Sequence, residues 1–195
     1  MLTLENKLTM EKLSMDALRR ISADDFKSKA KMPLVLVLDN VRSGLNVGSI
    51  FRTADAFLLE KLVLCGITAQ PPHREILKTA LGSTETVEWE YCSETADAIQ
   101  SLKQEGYRVF AVEQTTGKIW LQDFKPETQQ RYALVLGNEV DGVDETALSL
   151  CDGAIEIPQF GTKHSLNVAV ATGIVVWEII RTLGGSRLEG GEVKG

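Results

Sequence analysis

The stretch LVLVLDNVRSGLNVGSIFRTADAFLLEKLVLCG, residues 34–66, joins two short apolar runs through a segment of helical period. Apolar runs of this length, with no polar alternation, suit strands buried on both faces, as in a parallel sheet. The reading predicts strands over 34–38 and 61–66 with a helix over 47–58 between them. The same alternation continues down the chain. Further strands are expected over 86–91 (TVEWEY), 107–113 (YRVFAVE), 132–139 (YALVLGNE) and 153–158 (GAIEIP), and helices over 73–81, 94–104, 144–151 and 166–182. The last of these helices places Leu166, Ala169, Val170, Gly173, Val176, Trp177 and Ile180 on one broad face. Six strands alternating with helices predict an α/β fold, a single largely parallel sheet flanked by helices.

The chain of 195 residues suits one domain with a sizeable core. Its expected organisation is an N-terminal helical arm over 1–32, the α/β domain over 33–183, and a flexible glycine-rich tail, GGSRLEGGEVKG, over 184–195 that carries no chemistry. At 44% hydrophobic and 25% charged, the composition is close to the globular average and favours neither a disordered nor a fibrous chain. The longest apolar stretch, Val168 to Trp177, meets Glu178 too soon to span a bilayer, and the charged N-terminus does not read as a secretory signal. A cytoplasmic protein with no membrane partner is expected. Cys65, Cys92 and Cys151 are odd in number and far apart, which fits neither a disulfide framework nor a zinc site, so they read as reduced thiols and no metal is expected.

A net charge of -6 argues against a broad polyanion-binding surface, so any RNA contact must be local. The basic exception is the arm, where Lys7, Lys12, Arg19, Arg20, Lys27, Lys29 and Lys31 outnumber five acids. A solvated amphipathic helix with mixed charges explains that arm better than a dedicated RNA grip does.

In an open parallel sheet, ligands gather at the carboxyl ends of the strands, and four polar clusters fall there. In DNVRSGLNVGSIFRTADAF (39–57), Asn46 is placed to cap the helix and Arg52 follows on it; the glycines lack the G-x-G-x-x-G spacing of a dinucleotide site. Capping and a surface arginine account for this cluster taken alone. In FAVEQTTGKIW (110–120), Glu113 and Gln114 form a polar strand exit. In LVLGNEVDGVDE (134–145), Gly137 permits close approach of a ligand to the backbone before Asn138 and Glu139, although Asp141-Gly142 is also an ordinary turn signal. In IPQFGTKHSLNVAVATGIVVWE (157–178), Ser165 is the expected helix cap and Asn167, at the second helical position, has no capping duty.

Taken in order, N-x-G-x-x-x-R (Asn46, Gly48, Arg52), L-G-N-E (136–139) and I-P-x-x-G-x-x-x-S-L-N-V (157–168) resemble the three motifs of the SpoU/TrmH family of RNA ribose methyltransferases, from about Pro33 to Arg181. The resemblance implies a SPOUT-type domain with a C-terminal trefoil knot, S-adenosylmethionine as cofactor, and a homodimer for which the apolar last helix with Trp177 is available. Carried over by position, Asn46, Arg52, Glu139, Ser165 and Asn167 are the catalytic candidates. Gly137, Ile157 and Leu166 fall where the family cradles the cofactor, with Glu113 and Gln114 bordering the same pocket. Because only about thirty residues precede the first strand, the separate N-terminal RNA-binding domain of many relatives is expected to be missing.

The implied reaction transfers a methyl group to a ribose 2′-hydroxyl of RNA. EQTT, IPQ and VVWE look closer to enzymes that methylate a D-loop guanosine of tRNA than to those acting on rRNA. An arginine stays protonated in proteins, so Arg52 is expected to hold a phosphate and the developing alkoxide rather than to act as a base. A non-catalytic RNA-binding module on the same fold and a dehydrogenase-like nucleotide domain are the rival readings.

Overall fold

The computed structural model describes residues 12–14 and 21–183. The predicted tail over 184–195 and most of the predicted arm lie outside the described residues; of the arm, a short helix α1 (Ala23–Ser28) is described, capped by Ser22. Then follow β1 (Met32–Asp39), α2 (Gly44–Ala56), β2 (Leu59–Cys65), α3 (Arg74–Ala80), α4 (Ser83–Thr86), β3 (Glu88–Cys92), α5 (Thr95–Gln104), β4 (Tyr107–Val112), β5 (Lys118–Trp120), β6 (Arg131–Leu136), α6 (Glu145–Leu150), β7 (Gly153–Glu156) and α7 (Val168–Leu183).

The strands form one sheet in the order β3-β2-β1-β6-β4-β7-β5, and every pairing is parallel. The six predicted strands are present, with β6 and β7 ending earlier than predicted. Gly137 to Glu139 and Ile157-Pro158 are loop, and 83–86 is a helical turn before β3. The strand β5 was not predicted, because three residues at a sheet edge are too few to show a period.

In β1 the side-chain alternation builds both layers of the core. Leu34, Leu36 and Leu38 pack with Ile50 and Phe51 of α2 and Val176 and Ile179 of α7. Val35 and Val37 face the other way, onto Ile99 and Leu102 of α5 and Ala147 of α6. Helix α7 turns Val168, Thr172, Val175, Val176, Ile179, Ile180 and Leu183 inward and leaves Val170, Ile174 and Trp177 exposed, so the predicted broad face is split between core and surface. Helices α2 and α3 meet closely at Gly48, where a Cβ would lie 2.3 Å from the Ile76 carbonyl oxygen. Burial pushes the Cys65 thiol up to about 12 and the Cys151 thiol to about 11, and all three cysteines are free. Among the described residues, no helix is long and apolar enough to cross a membrane.

Candidate active site

Strands β1 and β6 lie side by side at the centre of the sheet. From β1 the chain winds outward to β2 and β3; on the far side of β6 stand β4 and β7. The crevice at such a reversal is where a doubly wound sheet takes its ligands. The four adjacent strands β1, β6, β4 and β7 release, at their carboxyl ends, the first turn of α2 with Asn46 and the loops carrying Gly137 to Glu139, Glu113-Gln114 and residues 157–167.

The loop after β1 is anchored from below. Asp39, fully buried at the end of β1, accepts from Thr95 Oγ1 at 2.6 Å, from Asn40 Nδ2 at 2.8 Å and from the Asp144 amide at 2.7 Å, which ties the entrances of α5 and α6 to β1. Sequence reasoning passed over Asp39, though an acid closing an apolar run is a visible signal. Helix α2 is capped by Ser43, which accepts from the Asn46 amide, so Asn46 lies inside the first turn and is not the predicted cap. Its side chain is thereby free to reach across the crevice.

There Asn46 Nδ2 donates to Glu139 Oε1 at 2.7 Å, and Asn46 Oδ1 accepts from Asn167 Nδ2 at 3.1 Å. Asn167 Oδ1 in turn accepts from the amides of Ala169 (3.0 Å) and Val170 (3.3 Å), so Asn167 is the cap of α7 and Ser165 is not, contrary to expectation. The polarity of this chain is fixed at both ends. A carboxylate can only accept, and the first amides of a helix can only donate, so each asparagine has one allowed amide orientation. Burial alone would raise the Glu139 carboxyl. Hydrogen bonds from Asn46 and from the Glu139, Arg42 and Ser43 backbone outweigh it and hold the group below its usual value, keeping it an acceptor.

Beside this chain lies a cavity of about 480 Å³. Glu113, Gln114, Gly137, Glu139, Ile157, Ser165, Leu166 and Asn167 all line it, and Asn46 stands behind, bonded to two of them. The apolar part of the wall includes Leu136, Ile155, Ile157 and Leu166. Gly137 is required by the chain itself: a Cβ there would sit 2.0 Å from the Gly142 carbonyl carbon, so it is the returning 138–142 turn that approaches this backbone so closely. Glu113 Oε2 accepts from the Val143 amide at 3.0 Å and holds that turn in place, while Gln114 Nε2 donates to the His164 carbonyl at 2.6 Å and ties down the 158–166 loop. Ser165 lines the wall without a hydrogen-bond partner among the described residues.

The cavity lining contains four carboxylates, Glu113, Glu139, Asp141 and Glu156, and neither lysine nor arginine. Such a wall suits a cationic ligand and opposes a diphosphate. Glu156 was not a sequence candidate, since it sits within an apolar run; it pairs with Lys118 at 3.4 Å.

Arg52 is not part of this cavity. It lines a second cleft, between α2 and α3, with Ser49, Thr53, Ala56, Phe57, Lys78 and Thr79.

A model of the SpoU rRNA Methylase family matches residues 33–177. The 23S rRNA (guanosine-2'-O-)-methyltransferase RlmB of Vibrio vulnificus is 31% identical over 158 residues, 81% of this chain and 63% of that protein, so the chain spans less than two thirds of the length of this relative. Among solved structures, the AdoMet-bound rRNA methyltransferase of Sinorhizobium meliloti superposes with a TM-score of 0.71 at 29% identity, covering 84% of this chain and 62% of that one. The A. aeolicus TrmH/SpoU tRNA modifying enzyme has the same fold, with a TM-score of 0.75 at 24% identity over 89% of this chain and 86% of that one.

Proposed function

Because the chain belongs to the SpoU rRNA methylase family, as the match over residues 33–177 establishes, we propose that it is an S-adenosylmethionine-dependent RNA methyltransferase acting on a ribose 2′-hydroxyl. The observation that carries the cofactor is the lining of the 480 Å³ cavity, four carboxylates and neither lysine nor arginine, which fits a sulfonium cation and disfavours the diphosphate of a dinucleotide. Its volume falls within the range of about 300–1,000 Å³ usual for small-molecule sites. When bound, the cofactor supplies a methyl group made electrophilic by the sulfonium.

The chain's own residues then hold, orient and exclude water. The apolar side chains of Ile157 and Leu166 shield the cofactor from solvent, and the backbone of Gly137 to Gly142 forms the opposite wall. The Asn46–Glu139–Asn167 chain fixes the mouth of the cavity, and Ser165 beside it keeps its hydroxyl free for the ribose. Transfer to a hydroxyl requires mainly that nucleophile and methyl be held in line, and it needs no metal. The C-terminal part of the domain is proposed to be threaded as a trefoil knot.

Arg52 serves a second copy in this reading. The exposed stripe Val170, Ile174 and Trp177 on α7 adjoins the Arg52 cleft through Phe57, whose ring lies 6.1 Å from that of Trp177. A homodimer burying the stripe sets Arg52 beside the partner's cavity, where it holds a phosphate and the developing alkoxide. For the substrate, EQTT, IPQ and VVWE favour tRNA, whereas the Vibrio relative acts on 23S rRNA. Mapping 2′-O-methyl sites in both RNAs, with and without the gene, decides between them.

Calorimetry tests the cofactor reading. S-adenosylmethionine is expected to bind and NAD not to. Binding of NAD alone would move the chain to dinucleotide chemistry, and binding of neither would leave an RNA-binding module.

A further inference from the structure

Residues from two helices meet at the second cleft, about 460 Å³ in volume, and they include two cations and no acid. Arg52 rises from α2 and Lys78 from α3, and neither makes an ion pair among the described residues. Both are exposed. The cleft hydroxyls are already spent as donors: Ser49 and Thr79 each donate to the Leu45 carbonyl, and Thr53 donates to that of Ser49. The donors left for a ligand are therefore the guanidinium and the ammonium, a pair matched to one anion. Most other cations on the sheet's helices and strands are paired: Lys61, Lys103, Arg108, Lys118, Arg131 and Arg181 all have carboxylate partners.

The position of the pair narrows the anion. In the homodimer proposed above, Arg52 brings this cleft beside the partner's cavity. An RNA strand presented to that cavity carries a phosphodiester at every nucleotide, and phosphates are the groups by which Lys and Arg position a strand. Gly48 lets α2 and α3 approach closely, since any side chain there meets the Ile76 carbonyl, and Arg52 and Lys78 line the cleft between the two helices.

We propose that this cleft is a phosphodiester-binding subsite for the RNA substrate, and that Lys78 is a positioning residue within it. The proposal rests on the methyltransferase reading for the identity of the polymer. Lys78 takes a phosphate as a point charge, while Arg52 holds a neighbouring or the same phosphate through its planar fork. Lys78 thereby sets where the RNA strand lies without touching the reacting atoms.

The test measures binding of the full chain to bulk tRNA and to a 23S rRNA transcript over a series of salt concentrations. Three variants are compared, Lys78→Ala, Lys78→Arg and Arg108→Ala, the last removing a paired charge at the amino end of the sheet. Loss of one phosphate contact is expected to lower the slope of log affinity against log salt by about 0.7–0.9 in Lys78→Ala. Lys78→Arg should restore the slope and Arg108→Ala should leave it unchanged. With RNA varied at saturating S-adenosylmethionine, Lys78→Ala should raise KM for RNA and spare kcat, and S-adenosylmethionine affinity should stay at the parent level. Equal slopes for Lys78→Ala and the parent, an equal loss in Arg108→Ala, or a parent that binds neither RNA in a salt-dependent way would overturn the subsite. A slope change in a protein that forms no methylated product would instead uphold the subsite and sink the methyltransferase reading.

Discussion

Asn46 Nδ2 lies 2.7 Å from Glu139 Oε1, so a residue of the first helix turn after β1 and the residue that ends the β6 exit are joined across the crevice. The same asparagine receives Asn167 from the third loop, and the three sequence motifs are thereby one hydrogen-bonded unit.

Replacing Glu139 by Gln removes the carboxylate that dictates the direction of this unit. Methyl transfer is expected to fall roughly tenfold, the lower end for a hydrogen bond to a charged group in a part-exposed site, with the fold retained. The link also has a pH signature. The folded carboxyl sits below its usual value, so the link is intact at neutrality and is lost only as pH falls through that lowered value. Activity lost from the Gln variant and a parent acid limb at low pH are the joint readout.

Arg52→Ala is expected to slow methyl transfer by roughly 10²-fold while S-adenosylmethionine affinity stays at the parent level, because Arg52 lies outside the cavity. A lysine there should rescue poorly, since it lacks the planar fork. Parallel rate and cofactor-binding assays check this, and a fall in cofactor affinity would place Arg52 elsewhere.

Leu166 is 37% exposed and lines the cavity, so in the function proposed above it covers the cofactor rather than building the core. Leu166→Ala should weaken S-adenosylmethionine binding roughly tenfold through lost apolar contact and leave thermal stability nearly unchanged. Calorimetry and a melting curve on one preparation measure both.

Asp152 concerns stability alone. It accepts from the buried Val109 amide at 2.8 Å and from Lys103 Nζ at 2.7 Å, joining the start of β7 to β4 and α5. Burial would raise its carboxyl, but these partners hold it below the usual value, so its contribution is present above that value and disappears as pH falls through it. Asp152→Ala should cost about 1–2 kcal/mol by denaturant unfolding at neutral pH, and Asp152→Asn less, since it keeps an acceptor for Val109.

The alternation in LVLVL carried the parallel sheet, because only a strand buried on both faces tolerates leucines and valines on its two sides. The gathering of the loops followed from strand order, which residues 34–66 imply only in part. The cap of α7 was not legible: Ser165 and Asn167 are both good caps, and Asn167 holds that position here while its side chain also bonds Asn46, 121 positions away. The separation of Arg52 from Asn46 was legible and missed. Six residues of helix turn through about 600°, leaving the two side chains about 120° apart, too far round the helix to face one cavity.

The central claim is methyl transfer from S-adenosylmethionine to a ribose oxygen. It is tested most directly by incubating the full chain with RNA and methyl-labelled S-adenosylmethionine, digesting the RNA to nucleosides, and locating the label by mass spectrometry. Label on a 2′-O-methylribose, abolished by a 2′-deoxy substitution at the mapped nucleotide, is the predicted result. Label recovered on a base, or uptake that survives the 2′-deoxy substitution, would contradict it.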